Sequence, residues 1–565
     1  MKKQSYRQVY HANVPSGWAN DPNGTIFYQG KAHLFYQHYP YKAEWGTMHW
    51  GHFATEDFIR WENLPVALVP DQDYEVICGC CSGSAAEVDG KLWLMYTAAQ
   101  PVLQRQCIAV SVDGGISFKK NPDNPILTAD MLDPEISELD FRDPRLFRKD
   151  GLWYLIAGVR ILDPASAPAA RGSLSGGQVS GGLVSGGRVS GGSAAAAGSE
   201  SGVPTSGFCT EQDGVRSPSA GDVSGTAPGN PGFGNLILAR SEDLLHWEYA
   251  GHLLYEDTPG QIPMDHDYFC LNGVYECPDY FNVDGTEVLL SSPQNLPQMG
   301  NLYQNIHSSL YMLGKLDFED GHFTVEKVGE LDSGFDFYAA QTLRMPDGRV
   351  IMIAWKEMWD RSFPTRKEGW AGTYTLPREL RVEDHTLVQK PVREIEQFRT
   401  NRAAVPDFTV GAREEISFPD ICGTAAEIHV TLEPGTAEKA GLKLFCGQEH
   451  ETLIYYDCAD DVIVFDRTNS GLPLEGREDD VNVRRVDLSP VDANGKISAG
   501  EAARETIDLR IFLDICSIEV FIDGGRHVMT GNVYPDLETD DGIRFFAKGG
   551  SCTFRNVEKY DVRTS

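Results

Sequence analysis

The chain has 565 residues, more than one ordinary hydrophobic core accommodates, so two domains are expected. Its 82 Asp and Glu against 49 Lys and Arg give a formal charge of -33. That balance excludes nucleic acid and anionic membranes as partners, because both are bound by clustered cations, and it favours a neutral small-molecule substrate.

Lys2 and Lys3 at the N-terminus are not followed by an apolar stretch, and no run of about 18 apolar residues occurs. Neither a signal peptide nor a membrane span is expected, and the expected location is cytoplasmic. The 12 cysteines are scattered without the spacing of a disulfide scaffold. Cys78, Cys80 and Cys81 lack a second Cys/His pair at zinc spacing, so buried thiols are expected rather than a metal site.

Along the chain, a turn containing Gly followed by a hydrophobic strand recurs five times, at Gly30, Gly90, Gly151, Gly285 and Gly348. The intervals are 60, 61, 134 and 63 residues, so one is too long by roughly 70 residues against the repeat's own period. The excess coincides with a stretch dominated by Gly, Ser and Ala, about 163 to 232, which cannot bury enough apolar surface to offset chain entropy and reads as a flexible surface insertion. A second recurring element pairs Ala54 to Trp61 with Ala239 to Trp247. Repeated strand–turn–strand units of this size predict an all-β fold: a five-bladed β-propeller over 1–390, closed so that sheet edges are protected and an axial pocket remains. A polar segment, 391–404, reads as a helical linker. Beyond about residue 405, period-two alternation takes over, with Ile507, Leu509, Ile511 and Leu513 on one strand face and Ile518, Val520 and Ile522 on the next, predicting a β-sandwich over 405–565.

Aligning the repeats shows what stands eight or nine residues before each glycine: Asp21, Ser82, Asp143, Glu276, and Ala339 beside Tyr338. In a closed propeller the innermost strands start at the same end of the axis, so three carboxylates converge on one pocket. An Asp-Pro pair at a strand start by itself marks a turn. Three carboxylates at one repeat phase, beside Trp18, Trp45 and Trp355, mark a site in which crowded acids raise one another's pKa, the usual equipment of glycoside hydrolysis.

Trp18-Ala-Asn-Asp-Pro-Asn-Gly24, Phe141-Arg-Asp-Pro144 and Glu276-Cys-Pro-Asp279 resemble the three signatures of glycoside hydrolase family 32, the family of invertases, sucrose-6-phosphate hydrolases, inulinases and levanases. Further matches are Trp50-Gly-His-Phe-Ala54, Leu376-Pro-Arg-Glu-Leu380 and Ser517-Ile-Glu-Val-Phe521, the last resembling the signature of the family's C-terminal sandwich. The resemblance implies a retaining β-fructofuranosidase acting on sucrose, sucrose 6-phosphate or short fructooligosaccharides. It gives Asp21 the role of nucleophile and Glu276 that of general acid and base, while Asp143 with Arg142 holds fructose hydroxyls. Asn20, Gln37, Trp45, Ser82, Tyr338 and Trp355 complete the implied pocket with Trp18, with a place as core aromatics the alternative for Trp45 and Trp355. Ala19 and Cys81 stand where the family has larger residues, and Cys81 belongs to the expected substrate-binding set.

No metal or cofactor is expected, because the carboxylate pair supplies the chemistry and no His cluster stands at the repeat phase. His33, His38, His49 and His52 are expected to be structural. A fructosyltransferase on the same residues is the nearest alternative, and a non-catalytic sugar-binding propeller a more distant one. Lys356, Arg361 and Arg366 follow Trp355 and are candidates either for a phosphate site or for a solvated loop, with unphosphorylated substrates favoured slightly. Oligomeric state is not legible.

Overall fold

The computed structural model describes residues 5–101, 103–162, 232–255, 273–476, 482–489 and 504–564. The stretch predicted as an insertion lies outside the described residues except for Gly232, which opens a strand. The regular structure of the described residues is nearly all strand, and no helix among them is long and apolar enough to cross a membrane.

The first part of the chain forms five sheets, each built on four antiparallel strands taken in chain order, the first sheet taking a fifth strand as well. Their first strands are Gly17–Tyr28, Gly79–Val88, Ile136–Lys149, Tyr275–Val283 and Tyr338–Arg344. These first strands touch one another in cyclic order, the fifth against the first, and Trp370–Ala371 pairs in parallel with Gly17 and Trp18.

The repeating glycine has a local cause. In four sheets the first hairpin turns on two residues that both have positive φ: Gln29 and Gly30 (47° and 86°), Asp89 and Gly90 (51° and 74°), Asp150 and Gly151 (50° and 90°), Asp284 and Gly285 (53° and 82°). Such a turn matches the strand twist and requires the left-handed region twice, which selects Asp-Gly. The second recurring element is the loop after the third strand. Thr55 and Asp57 accept the backbone N–H groups of Phe58, Ile59 and Arg60, and Ser241 and Asp243 do the same for Leu244, Leu245 and His246.

The remainder forms two stacked sheets. Ile507, Leu509, Ile511, Leu513, Ile518, Val520 and Ile522 all lie in the core between them, as their alternation predicts. The strand Ser517–Ile522 is buried on both faces because its alternate residues, Glu519 and Phe521, face the fifth four-stranded sheet. The segment read as a helical linker contains a 3-10 helix, Arg393–Phe398. It then continues as the strand Arg399–Ala404, paired with Cys552–Val562 and anchored by Arg399 on buried Glu427.

Candidate active site

All five first strands carry one extra residue against their partner strand at the same phase. The bulges fall between Ala19 and Pro22, Cys81 and Gly83, Arg142 and Arg145, Glu276 and Asp279, and Tyr338 and Gln341. Asp143, Cys277 and Ala339 within them have φ of 61°, 47° and 57°. A bulge bends its strand and re-aims the side chains beside it, so repetition at one phase turns Asp21, Ser82, Asp143, Glu276 and Tyr338 toward a common centre.

Hydrogen bonds tie these side chains to their neighbours in separate groups. Asp21 Oδ2 accepts from Gln37 Nε2 at 3.0 Å and Ser82 Oγ at 2.8 Å, while Gln37 also contacts the Ser82 hydroxyl. Among the described residues none donates a hydrogen bond to Asp21 Oδ1, which is buried. Glu276 Oε1 accepts from Arg142 Nε at 3.1 Å and Nη2 at 3.0 Å, and its Oε2 accepts from the Tyr338 hydroxyl at 2.6 Å. Arg142 is fixed from behind by Asp140, whose second oxygen holds Arg160.

Trp18 donates from Nε1 to Asn20 Oδ1 at 2.8 Å, and its ring lies 5.8 Å from Trp355, which is fully buried behind it. Trp45 is half-buried at the edge of the same aromatic cluster. Cys81 is half-buried, with its thiol 3.9 Å from the Cys78 carbonyl. The structure thus bonds Asp21, Gln37 and Ser82 into one group and Arg142, Glu276 and Tyr338 into another, and packs Trp18, Trp45 and Trp355 in one hydrophobic cluster with Cys277 and Tyr338.

Two partners were not assigned from sequence. Cys277 Sγ lies 3.7 Å from Oδ2 of both Asp21 and Asp143, and its backbone N–H donates to Asp143 Oδ2 at 3.0 Å. Thr97 Oγ1 accepts the Asp143 backbone N–H at 3.0 Å. The signal for Cys277 was its place inside the fourth bulge; Thr97, on a second strand, carried none.

Of the three cations predicted for a phosphate site or a solvated loop, Lys356 and Arg361 serve neither. Lys356 is fully buried and donates to Gln8 and Ser517. Arg361 is 2% exposed and donates to the Phe335 carbonyl and Asp336. Both lie against residues from other parts of the chain that a local reading cannot see. Arg366 is half-buried, its guanidinium 5.2 Å from the Trp18 ring. Among the described residues no cluster of His, Cys, Asp or Glu could hold a metal ion.

Electrostatics follow from burial. Asp21 is 7% and Asp143 6% exposed. Burial, and then the Glu276 charge, push Asp21 up from 3.8 to about 6. The same two causes push Asp143 to about 7 against the opposing Arg142. A carboxyl whose folded pKa is raised holds a proton that the unfolded chain has released, so stability falls as pH rises through this window. Asp21→Asn should therefore stabilise the protein at pH 8, by up to about 3 kcal/mol for a shift of about 2 units, and change little at pH 3.5. Thermal melts at the two pH values check this; equal effects at both would refute the burial penalty.

The model of the "Glycosyl hydrolases family 32 N-terminal domain" matches residues 11–165 and 226–391, and that of the "Glycosyl hydrolases family 32 C terminal" matches 394–562. The chain belongs to glycosyl hydrolase family 32. Within this glycoside hydrolase family, a sucrose-6-phosphate hydrolase of Zymomonas mobilis is 32% identical over 568 residues, covering 98% of this chain and 92% of that protein. A solved sucrose-6-phosphate hydrolase from Lactobacillus gasseri is similar at 28% identity with a TM-score of 0.72, covering 100% of this chain and 94% of that one. A GH32 beta-fructofuranosidase of Bombyx mori, solved as a mutant in complex with sucrose, is 28% identical with a TM-score of 0.69, covering 99% and 94%. As a family 32 protein the chain is an all-β glycoside hydrolase, and the pocket just described is where its carboxylates meet.

Proposed function

We propose that this family 32 enzyme hydrolyses sucrose and related small β-fructosides with retention of configuration, Asp21 acting as nucleophile and Glu276 as general acid and base. The observation that carries the reading is the convergence of three carboxylates from three sheets, each at its strand's bulge, beside the Arg142 guanidinium. Asp21 is held in place through one oxygen by Gln37 and Ser82, the positioning a nucleophile needs. The Asp21 carboxylate bonds to the anomeric carbon of fructose while the bond to the leaving sugar's oxygen breaks and that oxygen takes the Glu276 proton. Glu276 then removes a proton from water, whose oxygen bonds to the same carbon and releases Asp21. Asp143 and Arg142 hold fructose hydroxyls, bonds that strengthen as positive charge builds on the ring. Asn20, Gln37, Ser82, Tyr338, Cys81, Trp45 and Trp18 backed by Trp355 form the wall.

In the same reading, residues 1–390 are a five-bladed propeller, 391–404 a linker and 405–565 a β-sandwich, with about 163–232 inserted. Supporting this are the cyclic order of the five sheets and the break in the family match between 165 and 226. A cytoplasmic location is also proposed: the ten described cysteines are free thiols, a state that a reducing compartment maintains.

Sucrose should yield glucose and fructose in equal amounts, with β-fructose formed first. A fructose deficit with longer oligosaccharides would assign transfer, and the inverted anomer first would exclude the covalent step. With Lys356 and Arg361 committed elsewhere and Arg366 against Trp18, unphosphorylated sugar is favoured only slightly. A kcat/KM more than about tenfold higher for sucrose 6-phosphate, worth ~1.4 kcal/mol, would overturn that preference.

A further inference from the structure

Behind the acid/base runs a buried chain of charges. Glu276 Oε1 is bonded by the Arg142 guanidinium through Nε and Nη2. The other terminal nitrogen of Arg142, Nη1, donates to Asp140 Oδ1 at 2.8 Å, and Asp140 Oδ2 accepts from Arg160 Nε at 2.9 Å. Arg160 Nη2 in turn donates at 3.2 Å to the carbonyl of Gly273, three residues ahead of Glu276. Asp140 is fully buried, and Arg160 and Arg142 are 1% and 6% exposed.

Strand geometry produces this chain. Asp140 and Arg142 are two residues apart on the strand Ile136–Lys149, so both point to one face. On the neighbouring strand, Leu152–Leu162, Val159 pairs with Phe141 but Ile161 with Ile136, so the four residues 137–140 stand opposite Arg160 alone. Such an irregularity bends the strand and re-aims its side chains, and here it brings Asp140 onto Arg160. Gly158, opposite Arg142, presses on the Tyr275 carbonyl with no room for a Cβ. The strand of Arg160 is thereby kept tight against the strand Tyr275–Val283, which carries Glu276.

The charges give the chain a task. As general acid and base, Glu276 alternates between a neutral and an ionised form. While it is neutral, Arg142 has lost the charge of one of the two carboxylates bonded to it, and a buried cation without a counter-charge is costly. Asp140 faces the same guanidinium from behind and supplies that counter-charge in both states. Glu276 is also faced by Asp21 and Asp143, by the Tyr338 phenol and by the Cys277 thiol beside it, none of which the substitutions below alter.

We propose that Asp140 and Arg160 are positioning residues for the acid/base: the Asp140 carboxylate lets Glu276 hold its proton beside a buried guanidinium, and Arg160 fixes that carboxylate and ties it to the strand of Glu276. This rests on the fructosidase reading above and extends it to two residues that touch no substrate. The test records kcat/KM against pH for the full-length enzyme, on sucrose and on an aryl β-fructofuranoside whose leaving group needs no proton. Asp140→Asn removes a negative charge behind Arg142 and should move the alkaline limb on sucrose to lower pH by about 0.5–1 unit. Arg160→Gln removes a positive charge and should move that limb to higher pH, by about half as much. At pH 7.5, Asp140→Asn should lose at least about fivefold more on sucrose than on the aryl fructoside, and Asp140→Glu, which keeps the charge, should recover part of the loss. If Asp140→Asn is not recovered folded, the sign of the shift in Arg160→Gln decides. Shifts of one sign in both variants, an unmoved limb, or equal losses on the two substrates would overturn the proposal and make the pair a structural brace. Failure of the unaltered enzyme to release fructose from either substrate would instead sink the fructosidase reading itself.

Discussion

Asp21→Asn and Glu276→Gln should each lower sucrose turnover by about three to five orders of magnitude while leaving the fold intact. Asn keeps an oxygen for the Gln37 and Ser82 hydrogen bonds that hold Asp21, so what disappears is the nucleophile and not its setting. Gln at 276 keeps an acceptor for Arg142 or Tyr338 but cannot transfer the proton. Azide separates the roles. With an activated fructoside whose leaving group needs no proton, Glu276→Ala should be rescued in part, because azide replaces the activated water that resolves the covalent intermediate. Asp21→Ala should not be, since no such intermediate forms. Rescue of Asp21→Ala alone would exchange the two assignments. Ionised Asp21 is required throughout, so activity should fall as pH drops through about 6, the value to which burial and Glu276 raise it.

The largest effect on stability is expected at Glu519. Its carboxylate is fully buried between the stacked sheets and the fifth four-stranded sheet. One oxygen accepts from Arg378 at 2.9 Å; the other accepts from the Leu376 backbone at 2.8 Å and lies 2.9 Å from His11 Nε2. Arg378 also donates to Asp332, Thr530 and Gln389. Although burial opposes ionisation, Arg378 and His11 pull Glu519 down from 4.5 to about 2. Glu519→Ala leaves Arg378 buried without one of its two counter-charges and should cost about 3–5 kcal/mol in chemical denaturation at pH 7. Glu519→Gln keeps most of the packing and isolates the charge. A depressed folded pKa contributes stability above the unfolded value and loses it as pH falls, so the Gln deficit should shrink between pH 4.5 and about 2. A deficit independent of pH would show that shape, not charge, holds the two parts together.

What can be read from one chain segment at a time was legible. The glycine period was visible because each first hairpin needs left-handed backbone at a fixed place, and only a few residue types meet that demand. The alternation of Ile507 to Leu513 was visible because one strand face must be buried. The phase of Asp21, Asp143 and Glu276 was visible for a related reason: each bulge stands at a set distance from its turn, so spacing along the chain stands in for position in space. Periodicity tells which way a side chain faces and not what stands opposite it, and there the sequence ran out. The contact of the Cys277 thiol with two carboxylates, the burial of Lys356 and Arg361, and the pairing of Arg378 with Glu519 across 141 residues were decided by tertiary structure alone. Each depends on a long-range juxtaposition in which a buried charge or thiol must find its partner, and no local preference encodes that choice.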